Sequence, residues 1–240
     1  MIAGIYYPDE GQIFVNGEPV SIASPQDAFR YKIGMVHQHF KLIDIFTAAQ
    51  NVVLGVKGGK ERGKYNIRLV NQQVAAIAQK YGFDLDPKKK VYDMSVSEKQ
   101  TIEIIKVLYR GADILILDEP TAVLTPQETE KLFSVMRAMK KDGKSIIIIT
   151  HKLHEVMSIS DRVAVLRKGE YIGSVNTAET SEGELTEMMV GQKVTLDISR
   201  PKTQFDCPLL EIRNLTVKND VGSNAIEDLN FFIRGGEILG

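Results

Sequence analysis

Two adjacent carboxylates, Asp118 and Glu119, follow the aliphatic run of ILILDEPT, residues 114–121. A run that continuously apolar suits a strand buried on both faces, and ligands of open α/β sheets collect at the carboxyl ends of strands. An aspartate there can hold Mg²⁺, directly or through water. The glutamate beside it can orient and polarise a water that attacks a phosphate. A second aliphatic run, IIIITH at 146–151, ends in His151, whose imidazole can reach a γ-phosphate oxygen. VHQHF at 36–40 places Gln38 at a third strand end, where a neutral amide can ligate Mg²⁺ or hold the attacking water. One polar strand end is an ordinary exit to solvent. Several that share a crevice point to nucleotide chemistry. MSVSEKQ at 94–100 opens a helix with Ser95 and Ser97 near its start. Free N–H groups there attract anions, and the same residues also serve as plain caps. His37 and His39 have no cysteine or third histidine nearby, so they make no zinc set.

Those side chains need elements that bring them together. Residues 113–118 and 144–151 read as buried strands, and 32–40 as a short apolar strand. Asn66 can cap a helix whose apolar face is Val70, Val74, Ile77 and Tyr81. Ser95 or Ser97 starts another, apolar at Ile102, Ile105 and Tyr109. Pro126 fits the first turn of a third, apolar at Leu132, Met136 and Met139 and ended by Asp142-Gly143. Helices alternating with continuous apolar strands predict an α/β fold around a parallel sheet. Asn16-Gly17 predicts a hairpin near the start, and Lys168-Gly169 turns a second one over 162–175. A short helix suits 181–190. Residues 57–66 form a charged, glycine-rich loop, 191–208 a polar linker, and 209–240 return to β. The closing FFIRGGEILG predicts a strand, a turn and a second strand.

Bulk properties exclude several classes. The 240 residues suffice for one large domain, or one domain and a piece of another. A net charge of −1 gives no basic character that would argue for nucleic acid. The single cysteine, Cys207, allows no internal disulfide and fits a reducing cytosol. No apolar run approaches the ~18 residues of a membrane span, and Asp9 and Glu10 interrupt any signal peptide.

The order VHQ, MSVSEKQ, ILILDEPTAVLT, IIIITH resembles the ATP-binding cassette of ABC transporters, over nearly the whole chain. The resemblance implies a P-loop NTPase-like cassette: a parallel core, an antiparallel β-subdomain, and a helical subdomain over about 57–110. By that resemblance Gln38 is the Q-loop glutamine, Asp118 the Mg²⁺ aspartate of the Walker B motif, and Glu119 the catalytic glutamate. His151 is the switch histidine. Residues 94–98, with Ser95, Ser97 and Glu98, are the signature motif, which touches ATP held by the opposite cassette. The implied ligands are ATP and Mg²⁺. The implied partners are a second cassette, membrane permease subunits reached from the Gln38 segment, and indirectly a solute-binding protein. The implied location is peripheral, on the cytoplasmic face of the cell membrane.

MVHQHFKLIDIFTAAQNVVLG and RGADILILDEPTAVLTPQE look like tandem-cassette importers of simple sugars and nucleosides, with a lean toward nucleosides. Residues 1–190 then form a first cassette, and 209–240 resemble the start of a second. The family's phosphate loop, GxxxxGK followed by Ser or Thr, is expected just before residue 1 and just after residue 240. The chain, lacking both loops, therefore reads as a fragment, a split gene product or the product of a misplaced start, and as inactive alone. Ser97 stands where the signature has a glycine, a larger residue at a close phosphate approach. Thr125 stands where an aspartate is usual, as in sugar-importer cassettes. Two other readings are weighed. ABC ATPases of DNA repair or translation carry long insertions, and the stretch from Gln38 to Ser95 is too short for one. A non-enzymatic remnant that only pairs with a partner cassette fits the missing loops.

Overall fold

The computed structural model describes residues 1–56, 66–192, 207–219 and 222–239. The chain divides into two compact units, Met1–Gln192 and Lys193–Gly240. Nearly all of the glycine-rich loop and most of the polar linker read from the sequence lie outside the described residues.

The first unit opens on a hairpin of β1 (Ile13–Val15) and β2 (Glu18–Val20). Its turn residues Asn16 and Gly17 have φ of 53° and 84°, which suits the twist of the strands and which these two residue types tolerate. Helix α1 (Pro25–Arg30), capped by Ser24, leads into β3 (Ile33–Val36). Helix α2 (Ala48–Val53) starts at a capping box between Thr47 and Gln50. Both helices have six residues, too few to display a helical period in the sequence.

Helix α3 (Ile67–Tyr81) begins at Asn66, whose side chain accepts from the N–H groups of Arg68 and Leu69. Val70, Val74 and Tyr81 are buried as their spacing requires. Helix α4 (Val96–Tyr109) begins at Ser95 rather than Ser97, and Glu98 completes its capping box. One side of α4, Ile102 and Ile105, packs with α2 and α3. The other, Ile104, Val107 and Leu108, packs toward the sheet. α4 is thus the shared wall of two apolar clusters.

Strand β4 (Ile114–Asp118), helix α5 (Pro126–Lys141), strand β5 (Ser145–Ile149) and helix α6 (Leu153–Ile159) complete the core. The sheet order is β3-β4-β5, all parallel. Leu115 and Leu117 are fully buried against Phe133, Met136 and Met139 of α5. Each such burial stabilises by about 1.5–3 kcal/mol. Ile116, on the opposite face, packs with Ile22, Ala28 and Ile33.

β5 departs from the expectation of a strand buried on both faces. Ile146 and Ile148 pack toward α5, but Ile147 and Ile149 are 41% and 46% exposed. β5 is an edge strand, paired only with β4 among the described residues, and only one of its faces is covered.

Hairpin β6 (Arg162–Arg167) and β7 (Glu170–Asn176) turns at Lys168-Gly169 as expected, and helix α7 (Glu182–Val190) follows. Val156, Val165 and Leu185 form their common core.

The described part of the second unit is one antiparallel hairpin, β8 (Pro208–Lys218) with β9 (Asn224–Arg234). The second closing strand predicted from EILG is not formed: 237–239 carry no regular structure. Strand backbone needs a ladder partner for its N–H and C=O groups, and β8 already pairs with β9.

Candidate nucleotide site at the carboxyl edge of the sheet

Register places the site residues before any side chain is considered. Val36 lies opposite Leu117, and Asp118 opposite Ile149. The carboxyl ends of all three strands therefore share one sheet edge. Gln38 follows β3 by two residues, Asp118 closes β4, and His151 follows β5 by two residues.

The backbone turns sharply at Glu119, which has φ of 47°. A glutamate in the left-handed region costs about 1–3 kcal/mol and persists only where its surroundings impose it. Here the Glu119 N–H donates to the Ile149 carbonyl at 2.9 Å, extending the β4–β5 ladder past the strand. The Ala122 N–H returns to the Glu119 carbonyl at 3.2 Å. The turned backbone brings the Glu119 carboxylate to His151: Nδ1 lies 2.8 Å from Oε1. A carboxylate oxygen can only accept, so this contact fits an Nδ1–H donor on His151 and leaves Nε2 as the ring's other polar atom. Glu119 is 20% exposed at the side chain and His151 72%. Glu119 Oε2 is shielded from solvent and has no hydrogen-bond partner. It is an acceptor able to take an O–H donor.

Asp118 is half-buried and Gln38 exposed. Neither side chain bonds another described residue. A carboxylate and an amide oxygen are hard donors of the kind Mg²⁺ takes. No group of three His, Cys, Asp or Glu side chains that could hold a metal ion occurs among the described residues.

Ser95, Ser97 and Glu98, expected from the sequence to form a signature motif, stand differently. Ser95 Oγ accepts from the Glu98 N–H at 3.2 Å, and Glu98 Oε2 accepts from the Ser95 N–H at 2.8 Å. Lys89 Nζ adds contacts of 2.6 and 2.9 Å to the two Glu98 oxygens. Burial opposes the charge on Glu98, but Lys89 and the Ser95 bonds outweigh it and hold its pKa below the ordinary value. Glu98 therefore anchors its own helix start. Ser97 lies by Glu128, whose carboxyl is held low first by the Thr125 backbone N–H, then by the Thr125 hydroxyl, with Ser97 adding to it. Thr125 caps α5 in a capping box with Glu128.

Four further residues frame the site. Gln100 of α4 is buried and donates to the Pro120 carbonyl. Glu155 of α6 is 3% exposed and accepts from the Thr121 hydroxyl at 2.5 Å. Lys152 Nζ donates to the Thr121 carbonyl at 2.8 Å and pairs with Glu155 at 3.1 Å. The Lys152–Glu155 spacing of three residues on a helix was the available signal. Thr121 carries no signal by itself.

The ABC transporter family description matches residues 1–122. This chain belongs to the ABC transporter family.

The chain is 45% identical over 240 residues to the guanosine import ATP-binding protein NupO of Bacillus subtilis, covering 100% of this chain and 47% of that protein. It is 40% identical over 267 residues to the glucose import ATP-binding protein TsgD13 of Haloferax volcanii, covering 100% and 48%. The solved structure of cbiO1 from Clostridium perfringens, part of the ABC transporter complex cbiONQ, matches with a TM-score of 0.62. It is 27% identical, covering 74% of this chain and 70% of that one. The fold expected from the sequence, a cassette with a parallel core, antiparallel strands and helices, is the fold of this ABC transporter chain. The chain spans about half the length of the curated relatives it matches.

Proposed function

We propose that this chain supplies an ATP-binding cassette of an importer for a nucleoside or a simple sugar, and that ATP hydrolysis at the sheet edge drives uptake. The observation that carries this reading is the contact between His151 and Glu119 at the carboxyl edge of the parallel sheet. Glu119 polarises the attacking water. His151 keeps Glu119 Oε1 oriented and offers the rest of its ring to the γ-phosphate side. Asp118 and Gln38 would hold Mg²⁺, which when bound neutralises phosphate charge. Ser95 and Ser97, at the start of α4, face ATP bound by a partner cassette, with Glu98 fixing that helix start.

Residues 1–190 form the body of this cassette, with the helical subdomain at about 57–110. Residues 191–208 link it to the opening strands of a second cassette at 209–240. Permease subunits meet the segment that begins at Gln38, and a solute-binding protein delivers cargo from outside. The protein is peripheral at the cytoplasmic face; no described helix is long and apolar enough to cross a membrane. Higher identity to a guanosine importer than to a glucose importer favours nucleoside cargo.

The test is phosphate release by a version of this protein that includes a P-loop, paired with uptake of labelled guanosine and glucose by cells lacking the gene. Release abolished by Glu119→Gln and a selective loss of guanosine uptake support the proposal. Release indifferent to Glu119→Gln overturns the catalytic assignment.

A further inference from the structure

Glu119 and His151 sit on separate strand-exit loops, and His151 is mostly exposed. Some structure must hold the two loops in register for their contact to persist. On the strand side the Glu119 N–H bonds the Ile149 carbonyl. On the far side stands a ring of three residues. Thr121 lies two residues after Glu119, and Lys152 immediately follows His151. Lys152 Nζ donates across to the Thr121 carbonyl at 2.8 Å, so one bond spans both loops. Glu155 then binds both members, accepting from Thr121 Oγ1 on Oε2 and pairing with Lys152 on Oε1.

We propose that Glu155 is a positioning residue for hydrolysis: with Lys152 and Thr121 it latches the two strand-exit loops so that the Glu119–His151 pair forms. This rests on the phosphate-hydrolysis reading of the site. Glu155 is too deeply buried to meet a substrate, and both of its oxygens already have partners. It is a buried carboxyl group bonded on one oxygen to the Thr121 hydroxyl and on the other to the Lys152 ammonium. Removing one partner of such a set leaves the others stranded and the loops free. Gln100 adds a bond from α4 to the Pro120 carbonyl, between Glu119 and Thr121. The loop that carries Glu119 is therefore held from β5, from α6 and from α4.

The tautomer of His151 reports the latch without any turnover. Long-range ¹H–¹⁵N correlation spectra of the labelled 240-residue chain at pH 8 should show the Nδ1–H form in the wild type. Glu155→Ala and Thr121→Val should return His151 to the Nε2–H form that a free imidazole prefers in water. Glu155→Gln keeps an acceptor for Thr121 and should restore a substantial share of the Nδ1–H form. Met139→Ala, a cavity in the core beneath the sheet, should destabilise the chain yet leave the tautomer unchanged. An Nδ1–H form retained in Glu155→Ala overturns the latch. Equal loss in Met139→Ala also overturns it, by making Glu155 a mere contributor to stability.

In the P-loop-containing protein, Glu155→Ala should lower kcat about 10- to 100-fold with KM little changed, the scale of misplacing a reacting group by an ångström. An unchanged kcat overturns the positioning role. Absence of phosphate release from the wild type overturns the hydrolysis reading alone; the tautomer result still decides whether the latch exists.

Discussion

His151 Nδ1 stands 2.8 Å from Glu119 Oε1, although 32 residues separate them in the chain. Parallel pairing of β4 and β5, with Asp118 opposite Ile149, supplies the closeness. The positive φ of Glu119 supplies the direction. A carboxylate so placed, with its other oxygen shielded and unpartnered, suits a group that holds a water.

Glu119→Gln should therefore abolish turnover without abolishing nucleotide binding. Loss of a positioned general base costs roughly 10²- to 10⁴-fold. Phosphate release and fluorescent-nucleotide titration of the P-loop-containing protein check the two halves. Lost binding would make Glu119 a ligand contact rather than a base.

The 240 residues contain no GxxxxGK followed by Ser or Thr. A P-loop gives the phosphates several N–H donors and a lysine, and hydrogen bonds to charged groups contribute about 1.5–3 kcal/mol each. Three such bonds amount to roughly 5–9 kcal/mol, set against about 8 for a micromolar site. The 240-residue chain assayed alone is expected to release no phosphate above background. Turnover sensitive to Glu119→Gln in this chain would refute that.

Asp113 lies at the opposite, amino end of β4. Lys144 at 2.6 Å and Lys32 at 2.8 Å bring its pKa down to about 2. A depressed carboxylate stabilises the fold above its unfolded pKa of about 3.9, and that contribution disappears as pH falls through the folded value near 2. The group is 46% exposed at the side chain, so screening limits the effect to roughly 1 kcal/mol or less. Urea midpoints of the wild type should exceed those of Asp113→Asn at pH 6. The gap should close between about pH 4 and pH 2. A gap that stays constant with pH would show that Asp113 acts through something other than its charge.

Gly34 of β3 has no room for a side chain, because a Cβ there would collide with Val107 of α4. Gly34→Ala should push β3 from α4 and destabilise the unit by about 1–3 kcal/mol. Thermal unfolding measures this directly, and an unchanged Tm would mean that α4 yields.

Ser95→Ala removes the side-chain half of the α4 capping box. The expected loss is about 1 kcal/mol, read as a lower urea midpoint. In the P-loop-containing protein the same variant should also weaken turnover, since the α4 start is proposed to face the partner's ATP. A stability loss with full activity would leave Ser95 as a cap only.

Local chemistry was legible in the residues themselves. Asn16-Gly17, Asn66, Pro126 and Lys168-Gly169 act through φ preferences and capping bonds that need only sequence neighbours, and each appears where it was expected. The aliphatic run of β4 announced a strand buried on both faces, because two covered faces demand apolar residues at every position. The equally apolar run of β5 misled on the same ground: composition does not say how many of its neighbours are present. The closing EILG misled similarly, since a strand needs a partner that composition cannot supply. That Asp118, Glu119, Gln38 and His151 follow strand ends along one edge was readable from the sequence, since a parallel sheet aligns its carboxyl ends. The tertiary structure alone decided that Glu119 turns into the left-handed region and meets His151. It alone joined Thr121, Lys152, Glu155 and Gln100 around them. Those bonds cross between loops and helices up to 34 residues apart, where geometry set by the packed core, rather than residue type or spacing, determines which donor finds which acceptor.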